Sequence, residues 1–459
     1  MARLGILPIS VLLSSFCVGI GVAENWDPAA ITVFPDHADF AAGLLPIETL
    51  VADGETLFQV KFNALDGAGR PGATGAGDPT GRREQPAQEF LRVSGPDASA
   101  CSSCHNVPRA GGSGDFVTNV FAGANLQDPP VEAVDPRTTN ERNTTGLFGA
   151  GQVELLAREM TLALFDLRDT ARAQAKQRGT PVTVALVASG VSFGHLTALP
   201  DGRLETSDVQ GVDPDLIIRP FTSKGVVISL REFTINALNQ HHGIQATERY
   251  GKSKTGLSDF DRDGVDDEFS VGQVSAMVAF QATLPAPRQK FSEDPFLRAQ
   301  EERGQTLFTQ VGCSTCHVPA HEITTTTFAE PSPFNEYGTL RGDGQVATLT
   351  LPIEGFQGTV TAYTDLKRHN LCDAEIRHFC NEQLVQGGVP VDYFLTAKLW
   401  DLATSGPYGH RGDLPTISQA ILAHGGEARA EREAFLALDD TAKRELIAFL
   451  RTLGRAEAP

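Results

Sequence analysis

Two short motifs carry the residues most able to do chemistry in this chain of 459 residues. Each reads Cys-x-x-Cys-His: the first ends at His105 and the second at His317. Two thiols at this spacing can add to the vinyl groups of a haem, while the adjacent histidine ligates the iron. The motifs therefore predict two covalently bound c-type haems with His105 and His317 as proximal ligands. The predicted attachment points are Cys101, Cys104, Cys313 and Cys316.

Other uses of paired cysteines fit the sequence less well. A zinc ribbon needs its two cysteine pairs within a few tens of residues, whereas Cys101 and Cys313 are 212 residues apart. A thioredoxin-type pair belongs at the strand–helix junction of a βαβ unit, which neither segment resembles.

The segments that precede the two motifs are similar to each other. The sequence GETLF at 54–58 matches GQTLF at 304–308, and each predicts a helix before its cysteines. The first copy carries a long insertion rich in glycine and proline before Cys101. We therefore predict a mainly α-helical protein with two cytochrome c-like haem domains, long loops and insertions. The proline-rich stretch 282–296 places these domains at 24–290 and 291–459.

Hydrophobic periodicity predicts three further helices, over 153–177, 416–424 and 440–453. In the second of these, Thr416 and Gln419 fit a capping box, and the glycine that follows His424 fits a helix stop.

The amino-terminal segment predicts export. Residues 1–23 combine Arg3, an apolar stretch and small residues before Glu24, which is the pattern of a signal peptide. No later stretch is apolar for long enough to span a membrane. The net charge of −19 argues against nucleic acid as a partner. We therefore expect a periplasmic or otherwise exported protein without a stable membrane span.

The scarcity of methionine restricts the sixth ligand of the second haem. Electron-carrying cytochromes commonly pair a methionine with the proximal histidine, but no methionine follows Met277. If the second haem is six-coordinate, a histidine or tyrosine must serve. The downstream histidines that could do so include His369, His378, His410 and His424.

Two longer segments extend the pattern. They are RNTTGLFGAGQVE at 142–154 and LWDLATSGPYGHRGDLPTISQAILAHGGEA at 399–428. Together with the two haem motifs they resemble the bacterial di-haem cytochrome c peroxidase superfamily, in particular its branch of di-haem oxidoreductases and peroxidases. The resemblance implies reduction of hydrogen peroxide at the amino-terminal haem, with electrons delivered through the carboxy-terminal haem by a small redox protein or another donor. The alternatives are a non-enzymatic electron-transfer cytochrome and a di-haem oxidase or oxygenase.

The resemblance also assigns roles to individual residues. In the family, a distal ligand lies fourteen residues after the histidine of the PYxH loop, a position held here by His424. This assignment agrees with the absence of methionine after Met277. It leaves His410, the histidine of the PYxH loop itself, as a residue that fixes the conformation of that loop. The resemblance makes Glu154 the acid–base group of the peroxide site, with Gln152 beside it.

Calcium is expected at two places. The resemblance implies a calcium ion between the domains, bound by Asn143 and by the carbonyls of Ser405 and Pro407. Independently, the segment 259–270 begins like an EF-hand loop, which gathers carboxylates around a hard cation. The predicted ligands of this second ion are Asp259, Asp261 and Asp263. Its twelfth position is a serine, so Asp267 or Glu268 would have to complete the site.

Two residue pairs have more than one interpretation. His241 and His242 are adjacent and point in different directions on any helix or strand, so at most one of them is expected at a haem. Cys372 and Cys380 would lie about 12 Å apart on a continuous helix, too far to bond. A turn between them would permit a disulfide, and zinc bound with nearby histidines is the alternative.

Overall fold

The computed structural model describes residues 27–69, 98–114, 118–119, 141–261, 263–335, 346–382 and 385–454. The predicted signal peptide and most of the predicted insertion before Cys101 lie outside the described residues. Where the chain is described, no helix is both long enough and apolar enough to span a membrane.

Helices dominate the described structure, at 38% of residues against 13% in strands. A π-helical turn, Leu238–His242, continues helix α4, and short 3₁₀-helices lie at Cys101–Ser103 and Cys313–Thr315. The α-helices are α1 (His37–Ala41), α2 (Ile47–Gln59), α3 (Ala150–Arg178), α4 (Leu230–Ala237), α5 (Thr247–Tyr250), α6 (Lys252–Thr255), α7 (Val271–Thr283), α8 (Pro295–Gln310), α9 (Ile417–Leu422), α10 (Arg429–Ala437) and α11 (Asp440–Leu450).

The strands form small antiparallel sheets. They are β1 (Thr118–Asn119), β2 (Glu141–Arg142), β3 (Val182–Ala188), β4 (Val191–Ala198), β5 (Leu204–Glu205), β6 (His321–Glu322), β7 (Thr327–Glu330), β8 (Leu349–Pro352), β9 (Thr359–Val360), β10 (Arg368–Asn370) and β11 (Tyr393–Leu395). One sheet has the order β3-β4-β5, and the others pair β1 with β2, β6 with β9, β7 with β8 and β10 with β11.

These strands were not predicted from the sequence. The β3–β4 hairpin had a local signal, because Ser189 and Gly190 form a two-residue turn in which both φ angles are positive. The other strands contain only two to four residues, too few to produce a recognisable alternation of apolar and polar residues.

The predicted repeat is present as two equivalent helix pairs, α2 with α7 and α8 with α11. In each pair a glycine lets the two backbones touch. A Cβ atom on Gly54 would lie 1.9 Å from the carbonyl oxygen of Ala276, and one on Gly304 would lie 2.0 Å from that of Glu445. No side chain fits in this space, so the glycine of the G-x-TLF sequence is required by helix packing.

The phenylalanine of the repeat packs in the same way in both copies. Phe58 and Phe280 have ring centres 5.2 Å apart, and Phe308 and Phe449 have ring centres 5.4 Å apart. Each helix then leads to the 3₁₀ turn of a Cys-x-x-Cys-His motif, directly in the second copy and beyond the insertion in the first. The shared sequence is therefore a packing motif that supports each haem motif.

The predicted helices agree with α3, α9 and α11, although α3 begins three residues earlier than predicted, α11 ends three residues earlier, and α9 differs at its end. The capping box between Thr416 and Gln419 is present. The helix ends at Leu422 rather than at His424, because Gly425 adopts an extended conformation and starts a new turn. His424 therefore lies just outside the helix.

The hydrophobic core does not divide at residue 290. The larger cluster contains Leu57 and Phe280 of the first half together with Phe328, Leu351 and Val360 of the second. A smaller cluster surrounds the α8–α11 pair. The predicted domain 291–459 thus contains a segment, with strands β6 to β9, whose buried residues pack with the first half.

A buried ionic network reinforces this connection. Arg231 on α4 is fully buried and forms ion pairs with Glu248 on α5 and with Glu330 on β7. The Arg231 Nη2–Glu248 Oε2 distance is 2.5 Å. Removing one partner of such a network would leave a buried charge uncompensated, which is strongly destabilising.

We predict that Gly304→Ala destabilises the protein by about 1–3 kcal/mol, because the added methyl group must separate α8 from α11. Thermal or denaturant unfolding measures this change, and haem content should fall with it. Gln305→Ala, which alters an exposed residue of the same helix, is the control and should change stability little. Equal stability of the two variants would contradict the packing role of Gly304.

Candidate functional site

Both Cys-x-x-Cys-His motifs open into one cavity of about 930 Å³. His105 lines it from the first half of the chain and His317 from the second, each with its two cysteines. The rest of the wall is mostly apolar and aromatic, and comes from the α4 region, the segment 394–402 and the residues around α9. Such a wall suits a large, flat, mostly apolar ligand.

The two motifs have the same local backbone structure. The 3₁₀ turn lets the His105 amide donate a hydrogen bond to the Cys101 carbonyl at 3.0 Å, and the His317 amide donates to the Cys313 carbonyl at the same distance. All four cysteines of the motifs are free thiols. Each turn therefore presents two sulfur atoms and one imidazole to the same cavity.

Backbone carbonyls orient the imidazole rings. Nδ1 of His105 donates to the carbonyl of Gly112 at 3.3 Å, and Nδ1 of His317 donates to that of Tyr363 at 3.1 Å. Nδ1 of His424 donates to the carbonyl of Ala420 at 2.7 Å. A carbonyl only accepts, so the proton is on Nδ1 and the lone pair is on Nε2, as in most metal-ligating histidines.

His317 and His424 face each other across the cavity, with ring centres 6.4 Å apart. An imidazole nitrogen lies about 2 Å from a metal that it ligates and about 1.1 Å from its own ring centre, so two rings on opposite sides of one ion have centres roughly 6.3 Å apart. The observed separation fits two imidazoles that would hold one metal ion between them, as the resemblance implied for His424.

Burial keeps these imidazoles neutral. It lowers the pKa of His105 and of His317 to about 4, and it also lowers the pKa of His424. A neutral imidazole retains the lone pair that ligation requires. The donor set therefore fits haem iron at both motifs.

His241 and His242 point in different directions, as expected. His242 is buried, with Nδ1 2.6 Å from the carbonyl of Ala98 and Nε2 3.5 Å from the sulfur of Cys101. His241 lines the cavity, and its charge acts together with burial to lower the pKa of His105. His241 is therefore close to the first haem motif, and the π-helical turn places it there.

Glu154 and Gln152 do not line the cavity. Glu154 is fully buried, where Oε1 pairs with Arg158 at 2.6 Å and Oε2 accepts from the Leu230 amide at 2.8 Å. The acid–base role predicted for Glu154, with Gln152 beside it, stays a prediction that this geometry does not favour. The carboxylate instead joins helices α3 and α4.

The predicted interdomain calcium ligands lie together. Nδ2 of Asn143 donates to the carbonyl of Pro407 at 2.5 Å, and Ser405 lines the same part of the cavity. Oδ1 of Asn143 is buried and has no hydrogen-bond partner among the described residues. A buried, unpaired oxygen beside a carbonyl is a donor set that a hard cation would satisfy.

His410 belongs to the same region. Its carbonyl accepts from the Asn143 amide at 3.0 Å, and its buried ring packs on Phe394 with ring centres 4.6 Å apart. These contacts agree with the loop-fixing role implied by the resemblance.

The acidic loop also gathers its predicted ligands. Asp259, Asp261 and Asp263 each offer an oxygen within 4.8 Å of the others. Glu268 is buried beside them, whereas Asp267 is exposed. Burial raises the pKa of Glu268 to about 10, and the three aspartates add to this effect. Of the two residues that the sequence left open, Glu268 is therefore the one that faces the cluster.

Cys372 and Cys380 form a disulfide, which excludes the alternative zinc site because neither sulfur remains available. The histidines near this disulfide in the sequence, His369 and His378, have other partners. His369 lies between Asp365 and Glu427, with nitrogen–oxygen distances of 2.9 and 2.8 Å. His378 lies 3.3 Å from Asp413.

Cations on the cavity wall were not predicted from the sequence. Arg142 lines the cavity and pairs with Glu382, and Lys398 lines it in a setting where burial lowers its pKa to about 8. Asp401, Glu427 and Glu431 also line the mostly apolar wall, and the positive charge there suits a ligand with anionic groups. Lys398 belongs to no motif, and Arg142 begins the segment 142–154 without a role assigned to it there, so the sequence did not distinguish either residue from surface charge.

These features define a protein built to hold two haems in one shared cavity. Residues 233–453 match the model of the family described as "Di-haem oxidoreductase, putative peroxidase". This stretch of the chain contains the second haem motif, His241 and His424. No curated protein matches the chain in sequence.

Solved structures show weak overall likeness. A structure of hydrazine synthase from Kuenenia stuttgartiensis is 14% identical with a TM-score of 0.38, and the match covers 98% of this chain and all of that one. A MauG-like protein associated with microbial copper homeostasis is 16% identical with a TM-score of 0.27, covering 66% and 88%. The di-haem peroxidase BthA from Burkholderia thailandensis is 15% identical with a TM-score of 0.28, covering 75% and 94%.

We predict that His424→Ala converts only the haem at His317 from low spin to high spin, because the variant lacks one of two facing imidazoles. Low-temperature EPR of the oxidised protein measures the change, and haem content should stay at two per chain. His195→Ala, an exposed histidine on β4, is the control. An unchanged low-spin signal in His424→Ala would remove His424 from the ligand set.

Proposed function

We propose that this chain is an exported di-haem c-type oxidoreductase that reduces hydrogen peroxide. The observation that carries the proposal is the pair of facing imidazoles on His317 and His424. A haem with two protein ligands has no open position and suits electron transfer. The centre at His105 is then the place for chemistry, in agreement with the oxidoreductase family.

Covalent attachment and export are parts of this proposal. The four free thiols at the cavity wall support thioether bonds to both haems. The disulfide between Cys372 and Cys380 supports an oxidising compartment, as does the amino-terminal pattern at residues 1–23.

The proposed reaction consumes one hydrogen peroxide, two electrons and two protons, and it yields two waters. Bound haem iron would supply the redox chemistry. The electrons would come from a small redox protein or another exported donor. The chain itself must hold the two centres in one cavity, exclude bulk water with the apolar wall, and deliver protons near His105.

His241 is the group best placed to move a proton at the first centre. It lines the cavity close to His105, and an imidazole exchanges protons near neutral pH. Glu154 is less suited because both carboxylate oxygens are engaged away from the cavity. The acid–base role that the family resemblance gives to Glu154 would here belong to His241, which lies on the π-helical turn.

We predict that His241→Ala lowers kcat/KM for hydrogen peroxide by at least about 100-fold, the contribution expected of a general acid–base group. Glu154→Gln should keep turnover close to wild type while it lowers the melting temperature, because it weakens a buried ion pair. Steady-state turnover with an artificial electron donor and thermal unfolding measure both effects. Slow turnover in Glu154→Gln alone would restore the family assignment.

Spectra of the haem-loaded wild-type protein distinguish an enzyme from a simple electron carrier. For an electron-transfer cytochrome, both haems stay low-spin in every redox state and peroxide leaves the spectrum unchanged. A peroxidase shows a high-spin haem at His105 in at least one redox state and a spectral response to peroxide. An oxidase would instead consume oxygen with a reduced donor in the absence of peroxide.

We also propose two calcium sites. Asn143, Ser405 and Pro407 would supply oxygens at the seam between the two halves of the chain. Asp259, Asp261, Asp263 and Glu268 would supply a second set, with the carboxyl group of Glu268 as the closing ligand in place of the twelfth position of an EF-hand loop.

We predict that removing calcium with a chelator lowers the melting temperature and that adding calcium restores it. At a calcium concentration about 100 times Kd, one site stabilises the fold by ~2.7 kcal/mol. Asp261→Asn should remove the part of this response that the acidic loop contributes. The control is Asp266→Asn, because Asp266 bonds Ser258 outside the cluster. If neither the chelator nor added calcium changes the melting temperature of the wild-type protein, the two calcium sites are refuted.

A further inference from the structure

We propose that the loop closed by the Cys372–Cys380 disulfide holds His424 in position opposite His317, so that opening the disulfide frees the second centre to bind an external ligand. This inference rests on the proposed ligand role of His424. Asp373 and Phe379 are its positioning residues, and the disulfide joins the two ends of the loop on which they lie.

The backbone that follows His424 lies directly on this loop. The Gly425 amide donates to the carbonyl of Leu371 at 3.2 Å, and the Gly426 amide donates to Oδ2 of Asp373 at 2.9 Å. A Cβ atom on Gly425 would lie 2.8 Å from the carbonyl oxygen of Ile376. The turn that carries His424 is thus held by hydrogen bonds and by close backbone contact.

Asp373 organises the near end of the loop. Its Oδ1 accepts from the amides of Glu375 and Ile376 at 2.8 and 2.7 Å, while Oδ2 accepts from Gly426. Arg429, at the start of α10, lies 3.6 Å from the same carboxylate. One side chain therefore fixes the loop and the turn after His424 together.

Phe379 acts at the far end. It is buried, lines the cavity, and has its ring centre 6.0 Å from that of His424. It also packs on Phe394, with ring centres 5.3 Å apart. Phe379 therefore forms the wall that limits sideways movement of the His424 ring.

The disulfide connects these two ends. Cys372 directly precedes Asp373, and Cys380 directly follows Phe379. Between strand β10 and the 3₁₀ turn His378–Cys380 the loop has no regular secondary structure. A cross-link restricts such a segment by removing conformations that the open chain could adopt. Asp373 and Phe379, the two residues that contact the His424 region, therefore lie within one ring closed by the disulfide.

Opening the ring is a two-electron reduction. A dithiol reductant is oxidised to its own disulfide as the Cys372–Cys380 bond breaks, and each sulfur takes up one proton to become a thiol. His424 then samples positions away from His317, and the fraction of molecules competent to bind an external ligand rises. The apparent affinity for that ligand rises in proportion.

The test uses the haem-loaded protein with the double substitution Cys372→Ser and Cys380→Ser, which avoids reducing the haems. We expect part of the low-spin EPR signal at His317 to become high-spin and cyanide to bind that centre at least ten times more tightly than in wild type. Phe379→Ala keeps the disulfide and should act in the same direction, so the test does not depend on maturation of the double variant.

Asp439→Ala is the matched control, because Asp439 accepts from two backbone amides at the start of α11, as Asp373 does in the loop, but belongs to a different element from the turn that carries His424. It should lower stability without changing the spin state. Wild-type spin state and cyanide affinity in both loop variants would overturn the inference. Persistence of the low-spin signal in His424→Ala would instead refute the ligand role of His424, and the two failures are therefore distinguishable.

Discussion

Backbone contact between helices, permitted by a single glycine in each pair, is the constraint on which both centres depend. At Gly54 and at Gly304 the partner helix passes so close that only a hydrogen atom fits. In the second copy the packed helix α8 ends directly before the 3₁₀ turn of the haem motif, whereas in the first copy the insertion separates α2 from that turn. The orientation of the histidine then follows from the turn and from one carbonyl that receives its Nδ1 proton.

The sequence predicted the features that depend on local spacing. The two haem motifs, the helix before each of them and the capping box at Thr416 each follow from residues close together in the chain, while the family resemblance supplied the position of His424. The disulfide was only one of two open alternatives, because nothing in the spacing of Cys372 and Cys380 shows whether the chain turns between them.

Features that depend on distant contacts could not be predicted in this way. Glu154 has a local sequence that suits a catalytic group, but Arg158 and the Leu230 amide satisfy its carboxylate inside the core. Glu268 became the closing carboxylate of the acidic loop because the fold buries it there, while its neighbour Asp267 remains exposed. In both cases burial decides the role, and burial is a property of the assembled fold.

The interleaved core has a consequence for how the molecule is made. Strands β6 to β9 supply buried residues to the larger cluster, and the chain returns to that cluster as late as Leu366. The first haem motif, by contrast, is complete at His105. During synthesis the first motif therefore emerges more than 250 residues before the core around it can close. Such long-range closure is slow compared with local helix formation, so the proposed covalent attachment of haem would act on an open chain rather than on a finished pocket.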